Sequence, residues 1–276
     1  MNEAELVLSH VLNCDRLALY LNKDDSLGKD KSALVSDILK RRISGEPLQY
    51  ILGRCEFMGM EFKVDKCVLI PRFETEILVQ SVIEEFRLLN RVRPKVLDLG
   101  TGSGCIAVVI AKLFPQSIVW ASDISAEALQ LAQENAYLNN VQVKFLHSDL
   151  FNALENGREK FDLIISNPPY VQAGQLASLA KEISFEPAQA LEAGIDGLDF
   201  YRRIIKKAAI YLNNNGLLAF EVGINQAGLV GAMCFKGNFS DIKIINDYND
   251  IERVVIATKP AMQPLFSPGL VKKGII

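Results

Sequence analysis

With 276 residues, 49% of them hydrophobic and 23% charged, the chain can bury a sizeable core as one large domain, or as a large domain with a small companion. No apolar run nears the roughly 18 residues of a membrane span, and the acidic opening "MNEAELVLSH" lacks the basic start of an export signal, so a cytoplasmic protein without membrane contact is expected. The net charge of −3 and pI of about 5.6 argue against the basic footprint of a nucleic-acid-binding domain.

Residues 1–50 read as short helices. Leu6, Val7, Leu8, Val11 and Leu12 form one apolar stripe, and Leu34, Val35, Ile38, Leu39 and Ile43 form another at helical spacing, with the polar "NKDDSLGKDKS" as a loop between them. Eight acidic residues face seven basic ones over this stretch, so it carries no charge signature for DNA. From 45 to 76 the texture changes. Phe57, Phe62, Val64, Val68 and Ile70 alternate in extended segments with turns at Gly53 and Gly59, and a helix follows from about Glu74 to Leu89. From residue 95 strands and helices alternate: "KVLDLG", "SIVWASD", "VKFLHSD", "FDLIIS" and "GLLAFEVG" are strands, and most are separated by helical stretches. This predicts an α/β fold with a mostly parallel sheet covered on both faces. The closing pair "IKIIND" and "RVVIATK", joined by "YNDIE", reads as an antiparallel hairpin at the sheet edge. Tyr137, Phe145 and Trp120 are assigned to the core, and the charges of "YRRIIKK" to a solvated helix face.

The first strand of this alternation runs into Gly100-Thr101-Gly102-Ser103-Gly104. Glycines there let the backbone turn sharply and approach a ligand at the start of the next helix. Asp123 ends the second strand, where a carboxylate can accept the ribose hydroxyls of an adenosine. The dinucleotide spacing G-x-G-x-x-G would need glycine at 105, where this chain has Cys105. The spacing G-x-G-x-G, with Asp98 in the strand before it, suits S-adenosylmethionine better, although the loop alone leaves both cofactors open.

A second motif, Asn167-Pro168-Pro169-Tyr170, ends the strand "FDLIIS" on the same sheet edge. A residue before proline is forced into an extended conformation, so Asn167 and Pro168 are both held straight. The Asn167 side-chain oxygen and the Pro168 carbonyl then form two fixed acceptors for the hydrogens of a planar –NH2 group, and the Tyr170 ring can cover its flat face. Such a clamp suits methylation of a conjugated amine, whose delocalised lone pair makes it a poor nucleophile. The bland alternative is a proline-terminated strand with a packed tyrosine. Two histidines leave little for a histidine mechanism, and five scattered cysteines without a C-x-x-C pair indicate a reducing compartment and no metal. Glu186-Pro187 could border the site or simply punctuate a loop.

These motifs resemble the class I S-adenosylmethionine-dependent amino-methyltransferases. The combination of "GEPLQYILGRCEFMGMEFKV", "VLIPRFETEILV", "VLDLGTGSGCIAV", "FDLIISNPPYV", "EPAQALEAGIDGLDFYR" and "GLLAFEVGINQ" resembles one branch, the bacterial protein-(glutamine-N5) methyltransferases of peptide chain release factors. The resemblance covers about residues 40 to 258. It implies a Rossmann-like methyltransferase domain over 74–276, a helical release-factor-binding domain over 1–50 and a β-hairpin linker over 51–73. It also implies methyl transfer from S-adenosylmethionine to the glutamine of a Gly-Gly-Gln motif, by a monomer whose partner is a release factor and not a nucleic acid. By motif position, Gly100 to Gly104, Asp123, Leu150 and Asn167 would bind the cofactor. Asn167 to Tyr170, together with Arg72 at the mouth, would bind the glutamine, with Asn167, Pro168 and Tyr170 catalytic. The chain departs from the family's usual pattern at Phe73, where "PRPETE" has its second proline, at Leu150, where relatives often carry an aromatic residue, and in the long tail 260–276. Two other readings compete: an amino-methyltransferase acting on a flipped DNA adenine or rRNA guanine, and a non-enzymatic binder of S-adenosylmethionine, which leaves the elbow unexplained.

Overall fold

A computed structural model of the chain describes residues 2–22, 26–88, 91–154 and 157–261. The tail from 262 onward, part of the loop between the two N-terminal stripes, and the end of the helix expected to reach Leu89 lie outside the described residues.

Four helices open the chain: α1 (Glu3–Leu12), α2 (Arg16–Leu21), α3 (Lys29–Ile43) and α4 (Leu48–Leu52). A capping box starts α1, in which the Asn2 side chain accepts from the Glu5 amide at 2.9 Å and the Glu5 carboxylate accepts from the Asn2 amide at 3.0 Å. The helices meet over Val7, Val11, Ile38 and Leu48. Only part of the second apolar stripe is used: Ile38 is buried, whereas Leu34, Leu39 and Ile43 stay exposed. A hairpin of β1 (Arg54–Phe57) and β2 (Met60–Lys63) follows, turning at Met58 and Gly59, both with positive φ. Val68 and Ile70, expected in an extended segment, are buried outside any strand, beside Tyr50, Val64 and Leu131.

After α5 (Phe73–Leu88) come β3 (Lys95–Leu99), α6 (Cys105–Leu113), β4 (Ile118–Asp123), α7 (Ala126–Leu138), β5 (Lys144–His147) and β6 (Phe161–Ser166). Three short 3₁₀ turns between 173 and 190 precede α8 (Asp199–Tyr211), β7 (Leu212–Glu221), α9 (Ala227–Lys236), β8 (Ser240–Asn246) and β9 (Glu252–Thr258). Strands β3 to β9 form one sheet in the order β5-β4-β3-β6-β7-β9-β8. The first five strands in that order are parallel, and the final hairpin closes the edge with β9 inserted antiparallel between β7 and β8.

Both faces of the central strands are covered, and residues alternate between them. Val96, Leu163, Ile165 and Ala219 pack with α5 and α6 on one face. Leu97, Ile164, Leu218 and Phe220 pack with α8 and α9 on the other. This is why β6 reads as an uninterrupted buried run rather than as an alternation with polar residues. On α8, Tyr201, Ile204 and Ile205 turn inward while the four basic side chains of "YRRIIKK" face solvent. The chain folds outward from β3 to β5 and then returns beside β3 with β6. The strand order therefore reverses between β3 and β6, where ligands sit in open parallel sheets.

Candidate active site

The two sequence motifs meet at this reversal. The glycine loop leaves the carboxyl end of β3 and the Asn-Pro-Pro-Tyr elbow leaves the carboxyl end of β6, its neighbour. The Ser166 hydroxyl donates to the Leu99 carbonyl at 2.6 Å and ties the two strand ends together. Between them opens a cleft of ≈ 960 Å³, counted out to its mouth. Gly100, Thr101, Gly102, Ser103, Asp123, Leu150, Asn167, Pro168 and Pro169 all line it.

Gly100 and Gly102 have φ of +70° and +53°, and open space lies where a Cβ would stand. A ligand can therefore press directly on the backbone there. Asp123 holds the loop in place: one carboxylate oxygen accepts from the Gly102 amide at 2.8 Å and the other from the Ser125 amide at 3.0 Å. A carboxylate has about four acceptor positions, so two remain for a ligand's hydroxyls. Gly104 is different. It caps α6 with φ +81°, and a Cβ there would lie 2.9 Å from the Ala132 Cβ, so this glycine serves helix packing and does not line the cleft. Asp98 is fully buried beneath the loop, accepts from the Thr101 hydroxyl at 2.6 Å, and is pushed up by burial to about 7. Leu150 reaches the cleft from a left-handed turn after β5, with φ +53°.

On the other side, Pro168 is buried while Asn167 and Tyr170 are partly buried. The Asn167 amide nitrogen donates to the Thr75 hydroxyl at 3.0 Å, and that hydroxyl donates to the Glu221 carboxylate at 2.6 Å. The Tyr170 hydroxyl reaches the second oxygen of Glu221 at 3.4 Å, and the Tyr170 carbonyl accepts from the Gln226 side chain at 3.0 Å. Glu221 is fully buried and its carboxyl is raised to about 7, chiefly by burial. Tyr170 is anchored behind the elbow and does not itself line the cleft.

Arg72, expected at the substrate mouth, lies outside the lining. Its guanidinium donates to Glu186 at 2.5 Å, and the Glu186 side chain is almost wholly buried. This pair joins the segment before α5 to the loop bearing Pro187 and Gln189, both of which line the cleft, so Arg72 braces two walls of the cleft. Phe73 begins α5 with its ring exposed beside Tyr248, centroids 5.9 Å apart. His147 contacts the Ile124 carbonyl at 2.7 Å, away from the elbow. Tyr137, assigned to the core, is instead 87% exposed. It lies two positions after buried Asn135 on α7, and a two-residue step carries a side chain to the opposite helix face. Phe145 and Trp120 are partly buried against the core.

Sequence reasoning passed over three residues that shape the site. Thr75 had no role of its own inside "PRFETE", a segment that the family resemblance puts at the cofactor and substrate mouth, and Glu221 and Asn135 lay unassigned inside "AFEVG" and "ENAYL". The Asn135 amide donates to the Ser103 carbonyl at 2.8 Å and the Lys63 carbonyl at 3.0 Å, and its oxygen accepts from the Lys63 amide at 2.7 Å, which joins the hairpin to the glycine loop. The available signal was a polar residue set on an otherwise apolar face of helix or strand.

Comparison with known proteins agrees with this geometry. Residues 73–196 match the family described as Methyltransferase small domain, and residues 1–53 match the PrmC N-terminal domain. The release factor glutamine methyltransferase of Thermodesulfovibrio yellowstonii is 41% identical over 94% of this chain and 92% of its own length. The protein of the same name from Geobacter sulfurreducens is 43% identical over 92% of this chain and 87% of its own length. Among solved structures, a methyltransferase from Pyrococcus furiosus shares the fold, with a TM-score of 0.54 and 17% identity over 85% of this chain and all of that one. The chain belongs to the release factor glutamine methyltransferase family.

Proposed function

We propose that this protein transfers the methyl group of S-adenosylmethionine to the side-chain amide nitrogen, N5, of the glutamine in the Gly-Gly-Gln motif of peptide chain release factors. The observation that carries the reading is the placement of an Asn-Pro-Pro-Tyr elbow across one cleft from a glycine loop, in a chain 41% identical to a release factor glutamine methyltransferase. The cleft suits the cofactor's shape and chemistry. Open space over Gly100 and Gly102 admits a ligand against the backbone, Asp123 keeps acceptor positions for ribose hydroxyls, and Leu150 offers an apolar surface to the adenine. The cofactor supplies an electrophilic methyl group.

The chain's own residues act on the amide. The Asn167 side-chain oxygen and the Pro168 carbonyl accept its two N–H bonds and turn the nitrogen toward the cleft, while Tyr170 anchors the elbow from behind. As the nitrogen gains the methyl it gains positive charge, and both acceptors bind the N–H groups more strongly than in the ground state. The nitrogen would then release one proton to water at the cleft mouth, the sulfonium leaving as a neutral thioether. A strong base is unnecessary before the attack, which fits a site without histidine.

Residues 1–50 serve as the docking element for the release factor, with 51–73 as linker and 74–276 as the catalytic unit. The protein acts as a cytoplasmic monomer. A nucleic-acid substrate would ask for a basic groove, which a net charge of −3 and a nearly neutral helical segment do not favour. Labelled S-adenosylmethionine offered together with purified release factor, tRNA, rRNA and DNA tests the reading. Label is expected in the release factor and lost when its Gly-Gly-Gln glutamine is replaced. Label in a nucleic acid would overturn it.

A further inference from the structure

The Asn167 clamp works only if the side-chain amide points the right way round. An asparagine amide is nearly symmetric in shape, and a half-turn exchanges its acceptor oxygen for an NH2 group. An NH2 facing the substrate NH2 would place donor against donor, so the site needs a device that distinguishes the two ends. From the hydrogen-bond pattern around Thr75 we infer that Thr75 and Glu221 are positioning residues that set this orientation; the inference rests on the clamp reading above.

The Thr75 hydroxyl has one proton, and it is donated to the Glu221 carboxylate at 2.6 Å. While Glu221 is ionised that proton is committed, and the Thr75 oxygen can only accept from Asn167. It does so from the amide nitrogen at 3.0 Å, which leaves the amide oxygen to the substrate side. If the hydroxyl were free to rotate, it could donate to the Asn167 oxygen equally well and the amide would lose its preference.

Burial makes the device rigid. Thr75 is 2% exposed and Glu221 1% exposed, so water cannot offer alternative partners. The same carboxylate holds the other end of the elbow, since its second oxygen receives the Tyr170 hydroxyl at 3.4 Å. One acid therefore registers both the residue that accepts from the amide and the tyrosine that anchors the elbow from behind. The three elements involved are α5, the end of β7 and the end of β6.

Steady-state kinetics on a release factor, with cofactor affinity measured separately, test this arrangement. Thr75→Val keeps the shape but removes the oxygen, and kcat should fall about tenfold, the upper range for one net hydrogen bond. Thr75→Ser restores the hydroxyl and should recover most of the rate. Because Thr75 acts through Asn167, Thr75→Val should cost nothing further in an Asn167→Ala background. Thr75→Ala supplies the same comparison should the valine methyl prevent folding against Glu221. A normal kcat in Thr75→Val, or the same tenfold loss with and without Asn167, would overturn the positioning role while leaving the clamp intact. A normal kcat in Asn167→Ala would instead remove the clamp and the positioning role together.

Discussion

The ends of β3 and β6 lie side by side at the same sheet edge, yet they build their halves of the site by different means. After β3 the chain offers backbone: Gly100 and Gly102 take left-handed conformations with open space beside them, and a carboxylate one strand away holds the loop. After β6 it offers side chains and a carbonyl on a stretch whose path two prolines fix. The first half is held from within a short span of chain, by Asp123, 21 residues from Gly102, and by Asn135, 32 from Ser103. In the second half, the elbow's path is local but the aim of its polar atoms is not. Asn167 is oriented by Thr75, 92 residues away in sequence, and Thr75 by Glu221, 146 residues from it. A site assembled this way should separate cleanly into a binding half and a transfer half.

The largest effect should come from the transfer half. Asn167→Ala removes an acceptor whose contribution grows in the transition state, so kcat should fall roughly 10²–10³-fold, the scale for one preorganised partner. Cofactor affinity should change little, because the glycine loop and Asp123 are untouched. If calorimetry found cofactor binding lost along with kcat, the two halves would not be separable. The converse variant is Asp123→Ala. It gives up the ribose contacts and releases the Gly102 and Ser125 amides, so cofactor affinity should drop by about 10- to 100-fold, consistent with losing charge-assisted bonds of ~1.5–3 kcal/mol at most. The rate at saturating cofactor should suffer far less. Unchanged affinity would take Asp123 out of the site.

The smallest effect sharpens the same contrast through pH. Burial raises the Glu221 carboxyl from the ordinary 4.5 to about 7. The folded state therefore holds this proton more tightly than the unfolded chain. The stabilisation is complete below about 4.5 and is lost as pH rises through about 7. Glu221→Gln cannot ionise, so its melting temperature relative to the parent should climb by a few degrees between pH 5 and pH 8. Buried Asp98 behaves in the same direction and remains in both proteins, so it cancels in the difference. A pH-independent gap between the two melting curves would mean that Glu221 titrates normally.

The contrast also governs what could be read from the sequence. The α/β alternation, the edge hairpin, the glycine loop, Asp123 and the proline elbow are local patterns of spacing or residue type, and all stand close to where the sequence puts them. Arg72 carried a visible charge but no visible partner, and the structure gives it Glu186, 114 residues on. Gly104 reads in sequence as a third glycine of the cofactor loop, yet a Cβ there would meet Ala132 on the neighbouring helix. Thr75, Glu221 and Asn135 were passed over because a lone buried polar residue announces itself only once its partners have been brought to it. Tyr137 was misplaced because aromatic character suggested burial and helix phase was not weighed against it.

The proposed activity makes one bond, between the transferred methyl group and a glutamine side-chain nitrogen. Tandem mass spectrometry of a release factor incubated with this enzyme and S-adenosylmethionine reads that bond directly. A single added methyl on the glutamine of the Gly-Gly-Gln peptide, retained on the side-chain nitrogen after fragmentation and lost with Asn167→Ala, is the predicted result. A methyl on any other residue, or an unmodified Gly-Gly-Gln peptide under conditions where the cofactor is consumed, would contradict it.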